Sequence, residues 1–206
     1  MRLGFLGPRP DNAEDSCVEQ AADFLIHEAN VDRAIYLGTD DALERVVASW
    51  AKRLVGDDPT DRGAWKRARE LVANGAPHDI DRFVAAQRTR LRLRALESLP
   101  QRIWRTMEMV GDRVAVLIHD KALLDEEDIL SANLLVYGKS DTPLVKKIGT
   151  RWFVTPGELV PHGGICVLDD TGDEVQLSLY DMTGALTKLE TLAMPRPTAM
   201  RVQGGV

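Results

Sequence analysis

Residues 137–159 read YGKSDTPLVKKIGTRWFVTPGEL. The apolar run NLLVY (133–137) stops at Gly138, Asp141-Thr142-Pro143 is turn chemistry, and a basic and apolar stretch follows until Thr155-Pro156-Gly157 breaks it. RWFV (151–154) is the strand within that stretch. Similar short β-forming runs stand at 113–118 (RVAVLI), 165–168 and 175–180, with turns such as Asp170-Thr171-Gly172-Asp173 between them. Short strands on tight turns imply antiparallel pairing, so the half after Pro100 reads as a meander.

Toward the N-terminus the pattern differs. Leu3-Gly4-Phe5-Leu6 is a short apolar strand ended by Gly7-Pro8, and Val18, Ala21, Ala22, Leu25 and Ile26 recur at helical spacing, with Asn12 or Asp15 as the cap. Val31–Leu37 is rich in β formers, and Leu43, Val46, Val47 and Trp50 mark a second helix. Strand, helix, strand, helix predicts a parallel sheet. From 57 to 105 two helices are expected, over 64–74 and 79–98, as a helical insertion. Arg82, Arg88, Arg90, Arg92 and Arg94 spread around the second helix and read as a solvated face behind Ile80, Phe83, Val84, Leu91 and Leu99. The fold class is therefore mixed α/β, one domain over 1–193, with a loose tail at 194–206 that lacks periodicity.

Composition bounds the chemistry. The 206 residues are 44% hydrophobic and 28% charged, within the globular range. No apolar run is long enough for a membrane span, and Pro8 and Pro10 interrupt any signal-peptide core, so a cytoplasmic protein without a membrane partner is expected. Cys17 and Cys166 are too few for a disulfide framework or a thiolate zinc site and read as buried, reduced thiols. A formal charge of −6 argues against a dedicated nucleic-acid binder.

Four segments, FLGPRPDN (5–12), IYLGTDDAL (35–43), VLIHDKALL (116–124) and the opening stretch, follow in order and spacing a pattern that resembles the calcineurin-like metallophosphoesterases, in their small single-domain phosphodiesterase branch. That resemblance implies a two-sheet sandwich flanked by helices, with a site where loops converge at the strand ends. In the family, two divalent ions there activate a water for attack on phosphorus, which requires oxygen and imidazole ligands. Carried over position by position, the first motif's Asp and His fall on Pro8 and Pro10, the bridging Asp falls on Thr39, and the last two His fall on Lys139 and Asp141. Proline offers a metal no side-chain donor, and an ammonium adds repulsion where the site needs negative charge. Only His119 stands on a ligand position. The third motif has no firm place: VANGAPHDI (72–80) holds Asn74, His78 and Asp79, with extra residues between Asn and His.

The resemblance with these departures implies a pseudoenzyme without a cofactor or metal. Pro8, Arg9, Pro10, Asn12, Thr39, Asp40, His119, Lys139 and Asp141 should form a vestigial pocket, with Lys139 paired to Asp141 or Asp40 in place of an ion. The pool Asp11, Asn12, Asp40, Asp41, His78, His119 and Asp141 is the material for a rearranged metal site, and hence for a phosphodiesterase or nuclease as the alternative. A second alternative is a sensor whose Arg9 and Lys139 hold a phosphorylated small molecule. The resemblance also supplies a scaffold precedent, a retromer subunit with this fold. Protein partners are therefore expected, a homodimer being one form, with Trp50, Trp65 and Trp104 as surface anchors.

Overall fold

In a computed structural model, residues 1–55, 63–172 and 174–193 are described. The expected tail at 194–206 lies outside them. The chain runs β1 (Arg2–Leu6), α1 (Ser16–His27), β2 (Arg33–Tyr36), α2 (Ala42–Val55), α3 (Ala64–Asn74), α4 (Pro77–Leu93), β3 (Leu96–Ser98), β4 (Arg105–Val110) and β5 (Arg113–Ile118). It continues with a 3₁₀ turn (Lys121–Leu123), α5 (Glu126–Ser131), β6 (Leu134–Tyr137), β7 (Leu144–Ile148), β8 (Arg151–Thr155), β9 (Ile165–Asp169), β10 (Val175–Tyr180) and β11 (Leu186–Leu192).

Two sheets form, a six-stranded one in the order β11-β10-β9-β1-β2-β3 and a five-stranded one in the order β4-β5-β6-β8-β7. Alternation along β1 explains the layering. Leu3 and Phe5 point between the sheets and join Leu117, Val136, Val154, Leu168 and Leu177 in a fully enclosed core. Leu6 points the other way, into a second core with Leu25 of α1 and Trp50 of α2. Gly4 shares that outer face: a Cβ there would come within 2.8 Å of the Leu25 side chain, so its absence lets α1 sit close. A third, smaller cluster of Val116, Ala132 and Leu135 lies under α5 on the outside of the second sheet.

The strand-helix-strand-helix opening forms as read, and β1 and β2 are parallel. The meander holds for β9, β10 and β11, which pair antiparallel in turn, and is corrected elsewhere. β5–β6 and β6–β8 are parallel, with the 3₁₀ turn and α5 crossing between β5 and β6. Strands β3, β4, β7 and β11 lie outside the expected set. The segment expected as a helical insertion ends in β3, which pairs in parallel with β2, so its last residues belong to the sheet. The second expected helix stops at Leu93, which is the residue α4 buries, whereas Ile80, Val84 and Leu91 are exposed. Among the described residues no helix is long and apolar enough to cross a membrane.

Candidate functional site

Strand ends of both sheets meet at one cavity of about 400 Å³, lined by Pro8, Arg9, Asp11, Tyr36, Gly38, Thr39, Asp40, His119, Lys139 and Glu158. Its floor depends on close backbone crossings. The Gly7 N–H donates to Gly164 O at 2.7 Å and Leu159 N–H to Pro8 O at 2.9 Å. A Cβ on Gly7 would fall 1.7 Å from the carbonyl oxygen of Gly157, and Gly157 itself has φ +74°, so neither position accepts a side chain without displacing backbone. FLGPRPDN and the TPG turn are thereby locked together, as are the two central strand ends through Gly138, whose N–H reaches Ile118 O at 3.0 Å.

Parallel register sets which side chains meet. β1 and β2 pair Leu6 with Tyr36, so the residues just beyond, Arg9 and Asp40, come side by side. Arg9 Nε and Nη2 lie 3.1 and 3.0 Å from Asp40 Oδ2, and Arg9 Nη1 donates to the Ala13 carbonyl. The Tyr36 hydroxyl donates to Asp40 Oδ1 at 2.9 Å and accepts from the Arg9 N–H at 3.0 Å. Asp40 Oδ1 also receives the Ala42 N–H at 3.2 Å, at the start of α2. Both Asp40 oxygens are thus in use. The hydrogen bond to Asp40 raises the Arg9 pKa, and burial pushes the Tyr36 phenol well above its ordinary value, so guanidinium and neutral phenol are the forms present.

In the second sheet, β5 and β6 pair Ile118 with Tyr137, so positions 120 and 139 are level two residues further on. Lys139 Nζ lies 2.6 Å from Asp120 Oδ2, and this bond, with the Ala122 N–H, holds the Asp120 carboxyl below the usual range. The expected partners, Asp141 or Asp40, are corrected: Asp141 is an exposed turn residue outside the cavity lining, and Asp40 belongs to Arg9. His119 Nδ1 lies 2.8 Å from Leu37 O, which can only accept, so Nδ1 carries the proton and Nε2 is the nitrogen left over.

Of the expected pocket, Pro8, Arg9, Thr39, Asp40, His119 and Lys139 line the cavity, while Pro10, Asn12 and Asp141 do not. Asp11, Tyr36, Gly38 and Glu158 are additions; Tyr36 was hidden in a buried apolar strand, and only the pairing of Leu6 with Tyr36 shows its reach. Asn74, His78 and Asp79 sit around the α3–α4 junction, away from the lining. Two anchors are also corrected. Trp50 is buried, with its indole N–H 2.6 Å from Glu19 Oε1, and Trp104 packs against the inter-sheet core; Trp65 alone stands out, 85% exposed.

No family model and no curated protein matches the chain. Solved structures do. Vps29 from Chaetomium thermophilum matches with TM-score 0.50 and 14% identity over 96% of this chain and 100% of its own. A single mutant of Vps29 from Entamoeba histolytica matches with TM-score 0.51 and 13% identity over 93% of this chain and 98% of its own. The chain has the calcineurin-like metallophosphoesterase fold. A conserved uncharacterized protein from Streptococcus pneumoniae, a predicted phosphoesterase, also aligns, at TM-score 0.49 and 9% identity over 93% of this chain and 98% of its own.

The metallophosphoesterase fold implies two metal ions at these strand ends, and the residues present do not fit them. Among the described residues, no group of three or more His, Cys, Asp or Glu is placed to hold a metal ion. Of the lining carboxylates, Asp40 is bound to Arg9, and Asp120, next to the lining residue His119, is bound to Lys139. An ion would have to take Asp40 from Arg9, and other family ligand positions here are proline, threonine and lysine.

Proposed function

We propose that this protein is a catalytically inactive form of the metallophosphoesterase fold, working in the cytoplasm as a protein-interaction or regulatory scaffold. The observation that carries this reading is the pair of internal salt bridges, Arg9–Asp40 and Lys139–Asp120, at the strand ends where the fold holds metal in its enzymes. Each bridge satisfies a carboxylate with a fixed positive group and keeps the loops in place without an ion.

The charge balance favours a scaffold over an anion sensor. Arg9 and Lys139 are both paired, and Asp11 and Glu158 add negative charge to the lining, so the pocket is not the net positive site that an anion sensor needs. The exposed Trp65, with Val72 two turns along α3, supplies an apolar surface for a partner; α3 buries none of its residues. Elemental analysis of tag-free protein purified after growth with manganese should give far less than one ion per chain, with no hydrolysis of a bis-aryl phosphodiester. One or two retained ions per chain with turnover abolished by a chelator would overturn the proposal in favour of a phosphodiesterase. Strong thermal stabilisation by inorganic phosphate would instead support the sensor.

A further inference from the structure

β11 is an outer strand of the six-stranded sheet: β10 pairs with one side, and among the described residues no strand pairs with the other. Its sequence is Leu186-Thr187-Lys188-Leu189-Glu190-Thr191-Leu192. Read from either end the succession of residue classes is the same, with the charges exchanged about Leu189. Two antiparallel strands related by a two-fold axis place residues opposite one another when they are equidistant from the axis, and these share a face.

We propose that β11 is a homodimerisation edge, at which two copies of this chain pair their β11 strands about an axis through Leu189. Lys188 then faces Glu190 of the partner subunit, Glu190 faces the partner subunit's Lys188, and the two Leu189 side chains meet on the axis. Leu189 is 57% exposed in the single chain, and Lys188 and Glu190 share only a same-strand contact of 3.6 Å. Pairing covers the apolar side chain, satisfies the open backbone groups and gives each charge an opposite neighbour directly across. The bulge at Leu179/Tyr180 falls at the Leu186 end, and Lys188–Leu192 keeps regular register with β10.

The other three edges lack this symmetry. β3 has three residues. β7, Leu-Val-Lys-Lys-Ile, centred on its middle residue sets Lys146 against itself, which is the chemistry that protects an edge. β4 centred on Met107 sets Arg105 against Met109, and centred on Glu108 sets like charges together. The inference rests on this edge alone and stands or falls separately from the reading of the cavity.

Sedimentation equilibrium of the full chain over a concentration series tests it. The wild type should shift reversibly from one to two chains. Lys188→Glu places like charges across the axis twice and should weaken the dimer about tenfold or more, as should Glu190→Lys. The double exchange Lys188→Glu/Glu190→Lys restores both pairs and should bring the affinity back to within about threefold. A wild type that stays a single chain at all concentrations, single exchanges without effect, or a folded double exchange that fails to recover would each overturn the proposal. Should one single exchange lose the native circular-dichroism spectrum, the other carries the same test.

Discussion

Asp120 owes its low pKa chiefly to Lys139, and Asp15 owes its own to Arg45, whose Nε lies 2.6 Å away. A folded pKa below the unfolded value of about 3.9 contributes stability above that pH, which is lost as the pH falls through the folded value. Lys139 is exposed, so the contribution is expected below about 1 kcal/mol. In urea titrations the wild type should therefore exceed Lys139→Met slightly at pH 6, and the gap should close below about pH 4. Under NMR titration the Asp120 carboxyl of the variant should move up toward its ordinary value. Arg9 is more enclosed than Lys139 and shares Asp40 with Tyr36. Arg9→Ala should cost about 1–3 kcal/mol, and adding Asp40→Asn should cost less than the sum of the two single changes, because the pair has already been broken. Additive losses would mean that the bridge contributes nothing.

Among the elements, α2 and α3 present opposite cases. α2 buries Trp50 against α1 and the sheet, so Trp50→Ala should lose about 3–5 kcal/mol in denaturant unfolding, whereas Trp65→Ala on α3 should change stability by about 0.5 kcal/mol or less. Periodicity made Trp50 and Trp65 look alike, since both stand at helical spacing, and only the packing partner separates them. The same limit explains which elements were legible. β1, β2, α1 and α2 carry apolar repeats on a buried face and could be read directly. β3 is three residues that continue the apolar spacing of α4, and β4 and β11 mix charged or polar groups with Met and Leu at sheet edges, where pattern is weak. The order of motifs around the site was legible, but the Lys139–Asp120 pair was not. It follows from the parallel register of β5 with β6, a relation between segments that spacing along one segment does not contain.

At the scale of the molecule, the strand-end cavity joins both sheets, whereas the β11 edge belongs to the six-stranded sheet alone, and the two are built from different chemistry. The cavity is closed by internal ion pairs between parallel strand ends, and the edge is an unfinished ladder. β1 lies at the centre of this sheet, parallel to β2 on one side and antiparallel to β9 on the other, with Leu3 opposite Leu168. A fragment ending before Ile165 leaves one edge of β1 open and its core face without Cys166 and Leu168, and should fail to give a cooperative unfolding transition. For a chain emerging from the ribosome this imposes a wait: at roughly 5–20 residues per second, β1 leaves the exit tunnel on the order of ten seconds or more before β9 exists. Through that interval the first strand synthesised is a sticky, half-paired edge, so the burden of this architecture falls on nascent-chain chaperones, and slow codons in the final third of the message would lengthen it.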